Sequence, residues 1–178
     1  MSKKLNFSIS LNFENERKFL DHWEAKYSYK LESSYDSNIG QPLTSERIDI
    51  LYEWKNGGNL SAKKRQSVSA NYPTNPPSNL QNRYLREKQS GGAIWNIFYL
   101  HILDSSQWPI FDQHAYRSMK YLTEGKITEI PSKKSKVYES YLDEYIPFLN
   151  NFEETDKRRI DKALFSFGRF QKILNKYK

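Results

Sequence analysis

Residues 91–122 read GGAIWNIFYLHILDSSQWPIFDQHAYRSMKYL. The glycine pair Gly91-Gly92 opens an almost wholly apolar run from Ala93 to Leu103, too short to span a bilayer and suited to a buried helix. Polar Asp104-Ser105-Ser106-Gln107 breaks that run, and Trp108-Pro109 leads into a second helix, because proline is tolerated at or just before a first turn. There Phe111, Ala115, Met119 and Leu122 recur at helical spacing and face the core. Asp112 falls in the first turn, where unpaired N–H groups and the helix dipole favour a carboxylate. A single acid at a helix start, beside a glycine turn and a buried helix, is a candidate site.

Working outward, the totals bound the answer. A chain of 178 residues fits one domain, 1–178, and is long enough for a hydrophobic core. Aromatic residues are 15% of the chain, so that core leans on Phe, Tyr and Trp. The mean hydropathy of -0.87 is low partly because Tyr scores as polar while burying a large ring. The absence of Cys removes disulfides, thiolate nucleophiles and Cys-ligated zinc or iron–sulfur sites. His22, His101 and His114 show no metal-ligand spacing, and no phosphate-binding loop, dinucleotide fingerprint or nucleophile elbow is present. Neither a signal peptide nor a membrane-length apolar run is found, so the expected location is the cytoplasm and the expected state a monomer. A net charge of +7 favours an anionic partner, nucleic acid first.

Along the chain, Phe7, Ile9, Leu11 and Phe13 alternate as in a short strand or extended arm. Phe19, Leu20, Trp23 and Tyr27 then give a helix to about residue 29, and residues 30–43 read as a loop. Thr44 or Ser45 caps a helix with Ile48, Leu51, Tyr52 and Trp54 on its buried face, closed by Gly57-Gly58. A basic helix carries Lys63-Lys64-Arg65 and ends in a connector with Pro73, Pro76 and Pro77. The next helix, with Leu80, Tyr84 and Leu85, runs into the glycine pair. Tyr138, Tyr141, Leu142, Tyr145 and Leu149 mark a later helix that Pro147 bends or ends, and Ile160, Leu164, Phe167 and Phe170 the last one. The expectation is a mainly α fold, with about eight helices in a single compact domain.

The central stretch resembles the helix-hairpin-helix DNA glycosylase superfamily. Its members carry a helix, a glycine-containing hairpin, a second helix, and a loop with a catalytic Asp at the start of the next helix. Around that Asp the family often reads V-D-T-H-V-x-R or P-I-L-D-G-N-V-x-R, and here the residues are Pro109-Ile110-Phe111-Asp112-Gln113-His114-Ala115-Tyr116-Arg117. The hairpin reads Gln89-Ser90-Gly91-Gly92 where the family has L-P-G-x-G. The resemblance covers roughly residues 78–122. It implies a helix-hairpin-helix element, double-stranded DNA as partner, no cofactor, and Asp112 as the catalytic carboxylate. Strand-cleaving members carry a Lys at positions corresponding to Ala93–Trp95; none stands here, which implies a monofunctional enzyme that leaves an abasic site. Damaged bases are the usual substrates, and the altered hairpin also suits modified bases of foreign DNA, a defence role.

Each candidate has a plainer role beside the chemical one. An ionised carboxylate stabilises the cation-like sugar of glycosidic cleavage and orients water, whereas an Asp at this position is more commonly only a cap. Ser90, Gly91 and Gly92 present backbone N–H groups suited to a phosphate, or simply make a turn. Arg86, Lys88 and Arg117 are the basic side chains expected on DNA. A flipped base needs flat apolar walls and a few polar groups; Trp54, Trp95, Trp108, Phe111 and Tyr116 are candidate walls, and Gln113 and His114 candidate polar contacts, although most such aromatics are core. The rival readings are a catalytically silent helical DNA-binding or interaction module, and a basic interaction protein whose likeness to the motif is accidental.

Overall fold

Five helices begin where the sequence supplies a side chain to accept their first free N–H groups. Asn15, Thr44, Ser61, Asp112 and Asp156 each accept from a backbone N–H two or three residues on, a bond whose loss typically costs about 1 kcal/mol. Gly57 and Gly125 end two of them in the left-handed region, with φ of 76° and 68°. The computed structural model describes residues 12–76 and 78–176 and is mainly helical, with no strand among the described residues. In order come α1 Glu16–Glu24, α2 Glu32–Asn38, α3 Ser45–Asn56, α4 Ala62–Asn71, α5 Leu80–Tyr84, α6 Ala93–Leu103, α7 Gln113–Glu124, α8 Lys134–Glu139, a π-helical turn Ser140–Tyr145, α9 Ile146–Asn150 and α10 Lys157–Leu174.

The apolar run makes α6 a central helix: Ile97, Phe98, Tyr99 and Leu100 are fully buried. A helix apolar on all sides has no solvent face to present, and α3, α5 and α8 pack on it. Around it Tyr52, Tyr72, Tyr84 and Tyr99 lie ring against ring, with centroids 4.8 to 6.1 Å apart. No helix among the described residues is long and apolar enough to cross a membrane.

Against this scaffold α10 crosses both α7 and α1. The α7–α10 crossing is close because residue 168 is glycine: a Cβ there would run into the carbonyl of His114, lying 2.8 Å from its Cα. Gly168→Ala should therefore cost about 1–3 kcal/mol by overpacking, read as a lowered midpoint in thermal unfolding; an unchanged midpoint would mean the helices separate freely.

Three expectations change. Residues 30–43 are not all loop, since α2 forms within them. Its sequence ESSYDSN has little helical character, and packing supplies the rest: Tyr35 is buried against Trp54, with centroids 4.5 Å apart. Pro147 does not end its helix. The π-helical turn before it carries the chain across, with the Ile146 N–H bonded to the Tyr141 carbonyl, and Pro147 lies in the first turn of α9, where it needs no donor. Finally, α5 stops at Tyr84, so the glycine pair follows a non-helical stretch rather than a continuous helix. Of the expected N-terminal strand, Phe7, Ile9 and Leu11 lie outside the described residues, while Phe13 packs edge-on against Phe19.

Candidate functional site

Asp112 is the N-cap of α7, and its two oxygens have different tasks. Oδ1 accepts from the backbone N–H groups of His114 and Ala115 at 2.8 and 2.9 Å. Oδ2 lies 3.9 Å from the Lys55 ammonium, and the Asp112 side chain keeps 24% of its surface. Lys55 comes from the end of α3, with its side chain only 6% exposed. It donates to the Phe111 carbonyl at 3.1 Å and rests over the rings of Phe98 and Trp54, 5.3 and 5.9 Å from their centroids. Burial lowers the Lys55 pKa, with Asp112 and Asp161 working the other way.

Next to this pair, α10 turns Arg158 and Asp161 inward. Arg158 donates to Asp161 Oδ2, to Glu32 Oε1 at 2.5 Å and to the Tyr27 hydroxyl at 3.0 Å. Its guanidinium stacks over Tyr35 and Trp54, at 4.6 and 5.3 Å. Burial alone would raise Glu32, but the Tyr27 hydroxyl and Arg158 overrule it and hold its pKa low. Asp161 goes the other way: burial lifts it to about 6 despite Arg158.

These groups divide two spaces. A narrow one of about 30 Å³ lies between Asp112, Lys55 and the rings of Tyr27, Tyr29, Trp54 and Phe165. A wider cleft of about 320 Å³ opens past Pro109 and Tyr35, and Ile110, Arg158 and Asp161 line both. In the wider cleft His101 bonds the Trp108 carbonyl through Nδ1 and the Tyr35 hydroxyl through Nε2, each at 2.7 Å. A carbonyl only accepts, so Nδ1 carries the proton and the Tyr35 hydroxyl donates to Nε2.

Burial lowers the His101 pKa from 6.5 to about 3. A depressed folded-state pKa lends stability that is complete above 6.5 and is lost as the pH falls from there toward 3. His101→Gln should remove that slope, about 1 kcal/mol per pH unit, when urea midpoints of the two proteins are compared from pH 7 to 4. Parallel pH curves would show that His101 titrates alike folded and unfolded.

Of the residues expected at a site, Trp54 lines the space with Asp112. Phe111, Trp108 and Tyr116 are core: Phe111 packs on Tyr141 and Tyr145, Trp108 stacks on Tyr141, and Tyr116 meets Phe111 edge-on. Trp95 lies against Tyr52 and beneath Lys64, outside both spaces. Gln113 is exposed, and half-buried His114 packs edge-on against Phe165. Arg117 is a correction. It is 1% exposed, grips Glu129 through bonds of 2.8 and 3.0 Å, and donates to the Gly168 carbonyl at 3.0 Å, which takes it out of reach of a phosphate.

Arg86 and Lys88 are exposed, whereas Ser90 bonds Asn71. Gly91 has a φ of 84°, and a Cβ there would run into the Tyr72 hydroxyl and lie 2.8 Å from Asn96 Oδ1. Close packing thus accounts for that glycine, and Gly92 is the N-cap of α6 without a side-chain bond.

Sequence reasoning missed Lys55, Glu32, Arg158 and Asp161. One signal was available: Ile48, Leu51, Tyr52 and Lys55 form a single i, i+3, i+4, i+7 stripe, so the lysine sits on the apolar face. Among the described residues no group of three or more His, Cys, Asp or Glu is placed to hold a metal ion. Set beside protein-family models, curated proteins and solved structures, the chain has no match.

Proposed function

We propose that the chain is a DNA glycosylase that hydrolyses the N-glycosidic bond of a modified or damaged base and leaves an abasic site, in repair or in defence against modified foreign DNA. The observation that carries this reading is the two-sided use of Asp112. Helix N–H groups hold one oxygen, while the other faces an aromatic-walled space beside a buried lysine. An ionised carboxylate held there offsets the positive charge that builds on the sugar as the base departs. The space of about 30 Å³ suits the attacking water.

Lys55 favours a second course. A lysine whose pKa burial lowers is a better nucleophile, and its nitrogen lies 3.9 Å from Asp112. In that course the amine attacks the anomeric carbon as the base leaves with the bonding electrons. The sugar ring then opens to a Schiff base, and elimination cuts the strand.

The test is incubation with a panel of modified duplexes, followed by alkali to reveal abasic sites, and in parallel with borohydride. Base release with no trapped adduct is the expected result. A trapped complex that vanishes in Lys55→Met establishes the second course, and no abasic site on any duplex removes the enzyme reading. DNA binding should also weaken with salt, at a slope of about -0.9 per phosphate contacted; a salt-independent affinity, or none, would leave a helical interaction module that does not engage DNA.

A further inference from the structure

We infer that the wider cleft seats the departing base and that Asp161 selects heterocycles presenting an N–H donor there. The inference rests on the glycosylase reading of Asp112. Ile110, Arg158 and Asp161 form the common wall of the two spaces. A nucleotide lying across that wall puts its sugar at Asp112 and its base in the cleft. The division by size agrees, since about 320 Å³ holds a flat heterocycle as the structure stands, whereas about 30 Å³ beside Asp112 does not.

Most polar groups facing the cleft are already engaged. His101 uses both ring nitrogens on Trp108 and Tyr35. The terminal nitrogens of Arg158 are taken by Asp161, Glu32 and Tyr27, and Lys157 donates to the Ser106 carbonyl at 2.7 Å on the rim. Asp161 differs. Its side chain is 10% exposed, its Oδ2 is held by Arg158, and among the described residues no donor is bonded to its Oδ1. An acceptor oxygen on the cleft wall with no donor among the described residues is open to one from a ligand. An amino group or ring N–H satisfies it, while a carbonyl in the same place sets acceptor against acceptor and is rejected. Pro109 and Ile110 supply the apolar wall that a flat ring requires.

Free bases test this without any reaction at the sugar. At pH 8, above the value of about 6 to which burial raises Asp161, adenine and cytosine are compared by ligand-observed NMR with N6,N6-dimethyladenine and N4,N4-dimethylcytosine, which lack the amino donors. At least one amino base should bind about tenfold more tightly than its dimethylated partner. Asp161→Asn, checked for fold by circular dichroism, should bring the pair within about threefold, since an amide presents either a donor or an acceptor. Asp112→Asn, which acts on the sugar, should leave the preference intact.

Equal binding of both members of each pair by the wild-type protein overturns the inference, as does no binding of any base. These wild-type outcomes need no variant to fold. Abasic sites formed on duplexes together with equal binding would sink the role of Asp161 alone. An amino preference lost in Asp161→Asn, with no abasic site formed, would sink the glycosylase reading and leave a base-binding cleft.

Discussion

Asp112→Asn should reduce base release by roughly 10²–10³ while DNA binding and the unfolding midpoint stay close to wild type. The separation follows from the two oxygens. Asn is as good an N-cap as Asp, so an amide oxygen at position 112 still accepts from His114 and Ala115 and keeps the start of α7 in place. What disappears is the charge on the side that faces Lys55 and the narrow space. A departing base leaves positive charge on the sugar, and a neutral amide does little to offset it. Single-turnover release from a duplex that the wild-type protein cleaves gives the comparison. Unchanged release would remove the carboxylate from the chemistry; release and midpoint falling together would reduce Asp112 to a cap.

Arg158→Met should destabilise the fold by about 3 kcal/mol, a fall of about 6–12 °C in the thermal midpoint for a chain of this size. Methionine preserves much of the aliphatic packing over Tyr35 and Trp54. It leaves Asp161 and Glu32 without the guanidinium that holds both of them. Lys162, 3.1 Å from Glu32, keeps some compensation on that side, so the unpaired charge at Asp161 should dominate. Adding Asp161→Asn to Arg158→Met should therefore recover part of the loss, a coupling read from the double-mutant cycle. Additive effects in that cycle would mean that Arg158 contributes by packing alone.

What was legible in the sequence is what neighbours along the chain decide. The solid apolar run of α6, the caps at Thr44 and Ser61 and the closing Gly57 are local signals. Asp112 could be placed at a helix start for the same reason. The stretch ESSYDSN could not be read as a helix, because burial of Tyr35 and the bonds to Glu32 come from α3 and α10. Position in space, not type, also decided the basic residues. Arg158 and Arg159 are neighbours in the chain, yet Arg158 points inward, while Arg159 pairs with Glu24 and Glu154 nearer the surface. Arg117 looked like a hand for DNA and is a buried clasp between α7, Glu129 and α10, because the crossing at Gly168 brings that carbonyl within reach. Lys55 was the exception: its stripe on α3 was visible, and only its charge argued against burial.

The crossing at Gly168 has a mechanical consequence. The backbones of α7 and α10 meet at Gly168, and Ser118 Oγ donates to the Leu164 carbonyl at 2.6 Å, which holds the start of α7, and with it Asp112, against α10. A gap of about 30 Å³ must nevertheless widen before a sugar can lie against Asp112. The opposite wall is the connection from α1 to α2, which carries Tyr27 and Tyr29. The Tyr27 hydroxyl donates to Glu32 at 2.7 Å and accepts from Arg158 at 3.0 Å, and the Tyr29 hydroxyl donates to the Trp54 carbonyl at 2.6 Å. Widening the gap on that side means breaking these three bonds, whereas widening it on the other means parting two helices in backbone contact.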